Sequence, residues 1–317
     1  MKPFVLELGI KTDPIETRYS FEWLFDLAAE EGIRHIQLGS FYELYHVDLD
    51  YFADLRAAAE SRGLVITSVF TAHRELGGFF TGDPRLAAAA RRGYERLIAV
   101  AAAVGARFCG SNPGAVYRDR PQLKPAGLAR YLEHMRELTV LAQRAGLEAL
   151  TLEPMSCLAE PPATAAEIEH LMQALAEHHR AHPATTVPTW LCADISHGLA
   201  DAHRHVLLDN VGLFTAGAPW TAEFHFKNTD ALFNSTFGFA PEEIARGIVD
   251  LAGWREIIHG LAARFPVTPL IGYLEIGGPK TGRDYTDPLL GPALRTSLRA
   301  IRRVFDPAAT AARAAMT

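Results

Sequence analysis

The 317-residue sequence has few cysteines, and these are widely spaced. Its three cysteines are Cys109, Cys157 and Cys192. An odd and sparse set of this kind excludes a disulfide framework and a cysteine-based zinc ribbon. It predicts buried thiols in a reducing compartment, so we expect a cytoplasmic protein.

Long apolar runs and an excess of positive charge are also missing. No window approaches the roughly 20 apolar residues of a membrane span. The first apolar stretch is too short for a secretion signal, because Lys11 and Asp13 interrupt it. The formal net charge of −6 argues against a protein held to nucleic acid by bulk charge. We therefore expect neither a membrane nor a nucleic-acid partner.

The chain shows instead a regular alternation of short apolar runs and amphipathic patterns. Runs rich in Val, Ile, Leu and Phe predict strands at about 4–10, 33–39, 64–71, 106–111, 147–153, 189–195, 222–227 and 268–275. Helical patterns lie at about 20–31, 49–62, 84–104, 126–145, 164–181, 199–209, 254–265 and 288–304. About eight strand–helix units imply a parallel sheet covered by helices.

The joints between these units differ at the two ends of the strands. A glycine that can adopt the left-handed conformation ends the helix before each of four strands: Gly32, Gly63, Gly105 and Gly146. The other strand ends enter longer polar loops, as in a barrel whose site lies at the carboxyl ends of the strands. We predict an α/β fold with one (β/α)8 TIM barrel over 1–317 and a tail at 308–317 that is frayed or contacts another subunit. A doubly wound open sheet is the alternative, but no glycine-rich turn follows the first strand.

Four successive strands end in chemically informative residues. These are Glu153, Asp194, His225 and Glu275. Three carboxylates buried beside one another would repel each other unless a cation held them. One imidazole and three carboxylates suit a single divalent ion such as Mn²⁺, Mg²⁺, Co²⁺ or Zn²⁺. The sequence therefore predicts a metal site at the mouth of the barrel.

The motifs around these residues resemble those of the xylose isomerase-like barrels. The matching motifs are LEP with Glu153, DxxH with Asp194 and His197, then His225 and Glu275. The resemblance is to the sugar (phosphate) isomerase/epimerase family, which includes ketose 3-epimerases and hydroxypyruvate isomerase. It implies that these Glu, Asp, His and Glu residues bind one divalent metal. It also implies that the two glutamates exchange protons with the substrate and that His197 contacts a substrate oxygen.

The sequence departs from this family at two positions. The epimerases carry a further glutamate six residues after the first metal glutamate, where this chain has Ala159 and then Glu160. They also carry an arginine six residues after the metal histidine, where this chain has Ala231. Lys227 or Arg283 are candidates to replace that arginine, and we expect substrate recognition to differ from that of the ketohexose epimerases.

Other polar residues end the earlier strands. His73 and Asn112 are candidates to face the substrate, with an exposed loop residue and a turn former as the respective alternatives. The first two strands offer Glu7, Lys11 and Gln37, which are less distinctive. Of these, Lys11 closes its strand and could reach the mouth.

Two long loops follow the last two strands, at 228–250 and 276–287. Within the second, the segment 277–285 contains Lys280 and Arg283 and is either a phosphate-binding loop or a solvated one. Three phenylalanines of the first loop are candidates for a lid or a subunit contact: Phe233, Phe237 and Phe239.

These observations favour a divalent-metal-dependent isomerase or epimerase of a small ketose, keto acid or sugar phosphate. Proton abstraction beside a carbonyl gives an enediolate, which needs an adjacent cation, and two carboxylates can remove and return the proton. A metal-dependent dehydratase or decarboxylase acting on a sugar acid or inosose is the main alternative. A multi-zinc apurinic endonuclease fits poorly because most other histidines fall in helical patterns, and a non-catalytic sugar-binding barrel is the remaining class. We expect a homo-oligomer, a dimer or a tetramer.

Overall fold

Eight parallel strands close into a barrel in the computed structural model, which describes residues 4–16, 18–39, 42–71, 77–279 and 282–307. The barrel strands are β1 (Leu6–Lys11), β2 (His35–Leu38), β3 (Val65–Thr71), β4 (Phe108–Ser111), β5 (Ala149–Leu152), β6 (Thr189–Asp194), β9 (Thr221–Phe226) and β10 (Leu270–Leu274). Two further strands, β7 (Leu199–Ala200) and β8 (Val206–Leu208), form a separate small sheet. The barrel order is β1-β2-β3-β4-β5-β6-β9-β10, and β10 pairs back with β1. The predicted (β/α)8 barrel is confirmed. His73, Lys280 and the tail at 308–317 lie outside the described residues.

Helices connect the strands around the outside of the barrel. They are α1 (Phe21–Glu30), α2 (Tyr42–His46), α3 (Leu49–Glu60), α4 (Pro84–Ala103), α5 (Lys124–Arg144), α6 (Ala165–Ala181), α7 (Asn210–Gly217), α8 (Pro241–Arg246), α9 (Leu251–Gly260) and α10 (Leu290–Phe305). Within the described part of the chain, no helix has the length and apolar character needed to cross a membrane.

The predicted glycine joints have the left-handed conformation. Their φ angles are +67° at Gly32, +74° at Gly63, +71° at Gly105 and +82° at Gly146. At Gly63 and Gly146 an added Cβ would have open space around it, so the backbone conformation alone explains the preference for glycine. These joints end one helix and begin the next strand at the amino-terminal face, which leaves the longer loops at the carboxyl-terminal face.

The helix predicted at 199–209 is wrong, because this segment forms the antiparallel hairpin β7–β8 and helix α7 begins after it. The carboxylate of Asp201 accepts hydrogen bonds from the backbone N–H groups of His203 and His205, both at 2.8 Å. Arg204 between them has φ +67°. The short polar side chain thus stabilises a tight turn in competition with a helix.

Strand β9 shows how the fold orients the site. Phe224 packs outward against Phe214 of α7, and Phe226 packs against Phe305 of α10, with ring centroids 5.8 and 4.9 Å apart. Since side chains alternate along a strand, His225 between them points into the barrel. The outward phenylalanines therefore fix the inward direction of the histidine.

The long loop after β9 is anchored rather than loose. The backbone of Asn228 exchanges hydrogen bonds with that of Phe237 at 2.9 and 3.1 Å. Phe237 and Phe239 are 8% and 1% exposed, so they belong to the protein interior and not to a lid. Phe233 is half-buried and is the phenylalanine of this group that lies beside the predicted site.

Candidate metal centre and active site

Four side chains meet at the carboxyl-terminal mouth of the barrel. Glu153 follows β5, Asp194 ends β6, His225 lies in β9 and Glu275 follows β10. One ligand atom from each lies within 4.8 Å of the others. Their strands are neighbours in the ring, so a single edge of the barrel assembles the cluster.

Strand register places these residues at one level. Asp194 pairs with His225 across β6 and β9. The backbone N–H of Glu275 donates to the carbonyl of Phe226, 3.0 Å away, which continues the β9–β10 ladder by one residue. Side chains that leave neighbouring parallel strands at the same level converge at the mouth.

The donor set fits a divalent cation. His225 Nδ1 lies 3.0 Å from Glu153 Oε1, 3.4 Å from Glu275 Oε2 and 4.0 Å from Asp194 Oδ2. His225 is fully buried and Asp194 is 3% exposed. One ring nitrogen facing three carboxylates in a buried place is a ligand combination suited to a hard or borderline divalent ion.

Two buried lysines enter the same cluster. Lys11 Nζ lies 2.6 Å from Glu275 Oε1 and 3.0 Å from Asp13 Oδ2. Lys227 Nζ lies 2.5 Å from Asp194 Oδ2 and 3.1 Å from Glu275 Oε2. Burial alone would lower the pKa of each lysine, but the neighbouring carboxylates raise both above the ordinary value. Both side chains are therefore ammonium ions near neutral pH.

The two glutamates are carboxylates at neutral pH. Burial opposes ionisation of Glu153, but the adjacent His225 lowers the pKa of Glu153 to about 2. Burial likewise opposes ionisation of Glu275, and His225, Lys11 and Lys227 together hold its pKa well below its usual range. Ionised carboxylates are the form that binds a metal and the form that accepts a proton.

His197 is oriented by two contacts. Its Nδ1 lies 2.7 Å from the carbonyl oxygen of Pro154, which can only accept, so Nδ1 carries the hydrogen. Its Nε2 lies 3.0 Å from Lys227 Nζ and 3.4 Å from Asp194 Oδ2. The ring therefore combines the backbone contact expected of a structural residue with a nitrogen facing the cluster.

Asn112 reaches the cluster through Glu153. Its Nδ2 donates to Glu153 Oε2 at 2.6 Å and lies 2.8 Å from Met155 Sδ. This contact orients the carboxylate, leaving Oε1 toward His225. The structure thus places Asn112 in the site as a partner of Glu153.

The structure does not bring every candidate to this cluster. Arg283 is exposed, and its Nη1 lies 3.2 Å from the carbonyl of Gly282. Glu160 Oε1 lies 3.6 Å from Arg118, whose side chain is 62% exposed. Glu7 contacts His35 in the lower part of the barrel. Of the two residues considered as replacements for the family arginine, Lys227 is the one in the cluster.

Sequence reasoning gave little weight to several residues of this region. Lys11 is held by Glu275 and Gln37 by His225, in contacts between distant strands. Asp13 adds a local ion pair to Lys11, and Glu223 lies beneath the cluster beside Gln37. Lys11 carried a usable signal because it ends a strand. A polar side chain within the apolar β2 and β9 segments was the corresponding signal for Gln37 and Glu223.

The backbone beside His197 packs against Phe233, a residue with an unusual backbone conformation. Phe233 has φ +60°, which is costly for a residue with a side chain. Asp230 holds this turn by accepting from the backbone N–H of Leu232 at 2.9 Å. The Phe233 ring lies so close to Gly198 that a Cβ there would come within 2.5 Å of it. A strained phenylalanine therefore covers the residue that follows His197.

Comparison with known proteins agrees with this fold. Residues 25–268 match the family of xylose isomerase-like TIM barrels. The chain belongs to this family. No curated protein matches the sequence significantly.

Solved structures show the same architecture. A Rhodospirillum rubrum protein presumed to be a xylose isomerase is 20% identical with TM-score 0.75, and the match covers 94% of this chain and 99% of that one. The D-psicose 3-epimerase of Clostridium cellulolyticum H10, solved with D-tagatose, is 13% identical with TM-score 0.71 and the same coverage of 94% and 99%. The IolI protein, solved with a zinc atom, is 12% identical with TM-score 0.63 and coverage of 95% and 99%. At these identities the likeness shows the fold.

Proposed function

We propose that this protein is a divalent-metal-dependent isomerase or epimerase of a small ketose, keto acid or sugar phosphate, acting by proton transfer through an enediolate. The observation that carries the proposal is the buried cluster in which Glu153 and Glu275 approach His225 Nδ1 from strands three positions apart in the ring. Two carboxylates beside one cation site are what removal and return of a proton next to a carbonyl require.

Glu153, Asp194, His225 and Glu275 would hold one divalent ion, Mn²⁺, Mg²⁺, Co²⁺ or Zn²⁺. When bound, such an ion stabilises negative charge on a substrate oxygen. The ligand set does not choose among these metals. Zinc in the IolI protein supports an ion in a barrel of this fold, and the epimerase among the similar structures supports a sugar-like substrate.

The chain's own groups divide the remaining work. Glu153 and Glu275 exchange the proton, each as a base that the surrounding cations keep ionised. Lys227 and His197, 3.0 Å apart at Nζ and Nε2, form a polar pair that can bind substrate oxygens. Asn112 keeps one oxygen of Glu153 hydrogen-bonded, so the carboxylate presents a fixed orientation.

Proton exchange with solvent tests the proposal. The metal-loaded protein is incubated in D₂O with four- to six-carbon ketoses, keto acids and their phosphates, and products are read by NMR. We expect deuterium at the carbon beside the carbonyl without loss of water or CO₂. Loss of water or CO₂ would instead support the lyase alternative, and failure to bind any of the four metals would refute the proposal.

Two substitutions assign the reaction to the glutamates. Glu153→Gln and Glu275→Gln should each reduce turnover by at least about 10²-fold, because each removes a proton acceptor. Glu148→Gln is a matched control, since the exposed Glu148 precedes β5 at the opposite end of the barrel and pairs with Arg107 at 2.8 Å. Near-normal turnover in either site variant would contradict the mechanism.

A further inference from the structure

A second layer of polar side chains lies inside the barrel, directly beneath the candidate metal centre. Its members are fully or almost fully buried: Gln37, Ser68, Thr151 and Glu223. The interior of such a barrel is ordinarily filled by branched aliphatic side chains. Polar groups that replace them there need hydrogen-bond partners, and these residues contact one another.

The hydrogen bonds in this layer each have a defined donor and acceptor, starting from the Glu223 carboxylate as an acceptor. Glu223 Oε1 lies 3.1 Å from Ser68 Oγ and 2.9 Å from Thr151 Oγ1, and both hydroxyls donate to it. With its hydrogen directed at Glu223, Ser68 offers a lone pair to the amide nitrogen of Gln37, 3.4 Å away. The Gln37 amide is thereby oriented with its oxygen on the other side.

That oxygen meets the candidate metal ligand. Gln37 Oε1 lies 2.8 Å from His225 Nε2. An amide oxygen can only accept, so His225 carries a hydrogen on Nε2. The opposite nitrogen, Nδ1, is the one that faces Glu153, Asp194 and Glu275.

We propose that Gln37 is a positioning residue that holds His225 with Nε2 protonated and so presents the Nδ1 lone pair to the divalent ion. This inference rests on the proposed metal-dependent function. A hydrogen bond from the second ring nitrogen fixes both the tautomer and the ring orientation of a ligating histidine, and its loss weakens metal binding about 10- to 100-fold. Glu223, through Ser68, orients Gln37 in turn.

Metal affinity of the Gln37 variants tests the role. Dissociation constants for Zn²⁺ and Mn²⁺ are measured by chelator competition. Gln37→Leu should bind each ion about 10- to 100-fold more weakly, whereas Gln37→Glu keeps an acceptor and should stay within about tenfold of the unchanged protein. Thr189→Val is the control, because Thr189 is a buried polar residue, 3% exposed, at the start of β6 and so at the opposite end of that strand from Asp194. It should leave both constants unchanged.

The tautomer itself gives a measurement that needs no variant. In the zinc-loaded protein with ¹⁵N-labelled histidine, NMR should show the His225 proton on Nε2 and none on Nδ1. A proton on Nδ1, or Gln37→Leu binding metal as tightly as the unchanged protein, would overturn the inference. If the unchanged protein binds neither ion, the proposed function fails first, so the two failures are distinguishable.

Discussion

Lys227→Met should destabilise the metal-free protein strongly. The ammonium group is almost completely buried and contacts Asp194 Oδ2 at 2.5 Å and Glu275 Oε2 at 3.1 Å. Its removal leaves Lys11 as the remaining ammonium in contact with the cluster among the residues that the structure describes. Breaking a buried ion pair on one side costs about 3–5 kcal/mol in the free energy of unfolding. For a protein of this size the melting temperature should fall by roughly 4–8 °C.

Adding a divalent ion should reverse part of this loss. An ion at 100 times its dissociation constant stabilises the folded state by about 2.7 kcal/mol. We expect the ion to stabilise Lys227→Met more than the unchanged protein, because it replaces the missing positive charge and is not repelled by the Lys227 ammonium. Urea unfolding with and without Mn²⁺ or Zn²⁺ measures both increments.

A second lysine provides the comparison for this experiment. Lys124 pairs with Glu167 at the surface of the barrel, and its side chain is 21% exposed. Lys124→Met should therefore cost about 1 kcal/mol at most, because exposed and partly exposed pairs contribute little. If Lys227→Met is no less stable than Lys124→Met without metal, the ammonium does not compensate the carboxylate cluster and the electrostatic argument is refuted.

Two further predictions concern the closure of the barrel and the loop beside His197. The buried Glu31 carboxylate accepts hydrogen bonds from Arg299 at 2.6 and 3.0 Å and from Arg295 at 3.2 Å. Burial raises the pKa of Glu31, but these arginines lower it overall. The stabilisation that ionised Glu31 provides is therefore present above its ordinary pKa near 4.5 and is lost as pH falls through the lower pKa of the folded state. Glu31→Gln should cost about 2 kcal/mol in the free energy of unfolding by urea at pH 7, and progressively less below pH 4.5. A cost that does not change with pH would contradict this. Phe233→Asn relieves the backbone strain but removes the ring from Gly198, so the free energy of unfolding should change by less than about 1 kcal/mol. Because the loop beside His197 loses its support, kcat/KM should fall at least about tenfold. Unchanged kinetics would show that the ring does not support the site.

Local signals were sufficient to predict the barrel. Glycines such as Gly63 and Gly146 end helices because of their own backbone conformation, and this property is visible in the sequence alone. Apolar runs of strand length between amphipathic helices then specify a parallel sheet. The predicted strand positions correspond to the observed strands because both signals repeat in each unit.

The hairpin β7–β8 shows where local reasoning failed. Val206 and Leu207 contributed to the apolar pattern that suggested a helix, yet they are 47% and 58% exposed. The decisive interaction is the Asp201 carboxylate with two backbone N–H groups, which competes with helix formation over only a few residues. An apolar sequence pattern does not show whether its residues will be buried in the core.

The four candidate ligands could be identified because each follows or ends an apolar strand, and parallel strands bring such positions to one mouth. The partners of Lys11 and Gln37 could not be assigned in this way. Lys11 meets Glu275 across a sequence separation of 264 residues, and Gln37 meets His225 across 188. Their partners are set by ring closure between β1 and β10 and by packing across the barrel interior, which spacing along the chain does not encode.

Closure of the barrel brings residues from the first and the last strands into the same cluster. Strands β5, β6, β9 and β10 carry the candidate ligands, whereas β1 and β2 carry Lys11 and Gln37. The pairing of Ile10 with Leu274 brings Lys11 beside Glu275, so charge balance in the cluster exists only in the closed ring. An open form of the barrel would keep the four carboxyl-terminal strand ends together but would lose the ammonium of Lys11 and the amide that orients His225. The second half of the chain therefore supplies the candidate ligands, and the first two strands supply the ammonium and the amide that contact two of them.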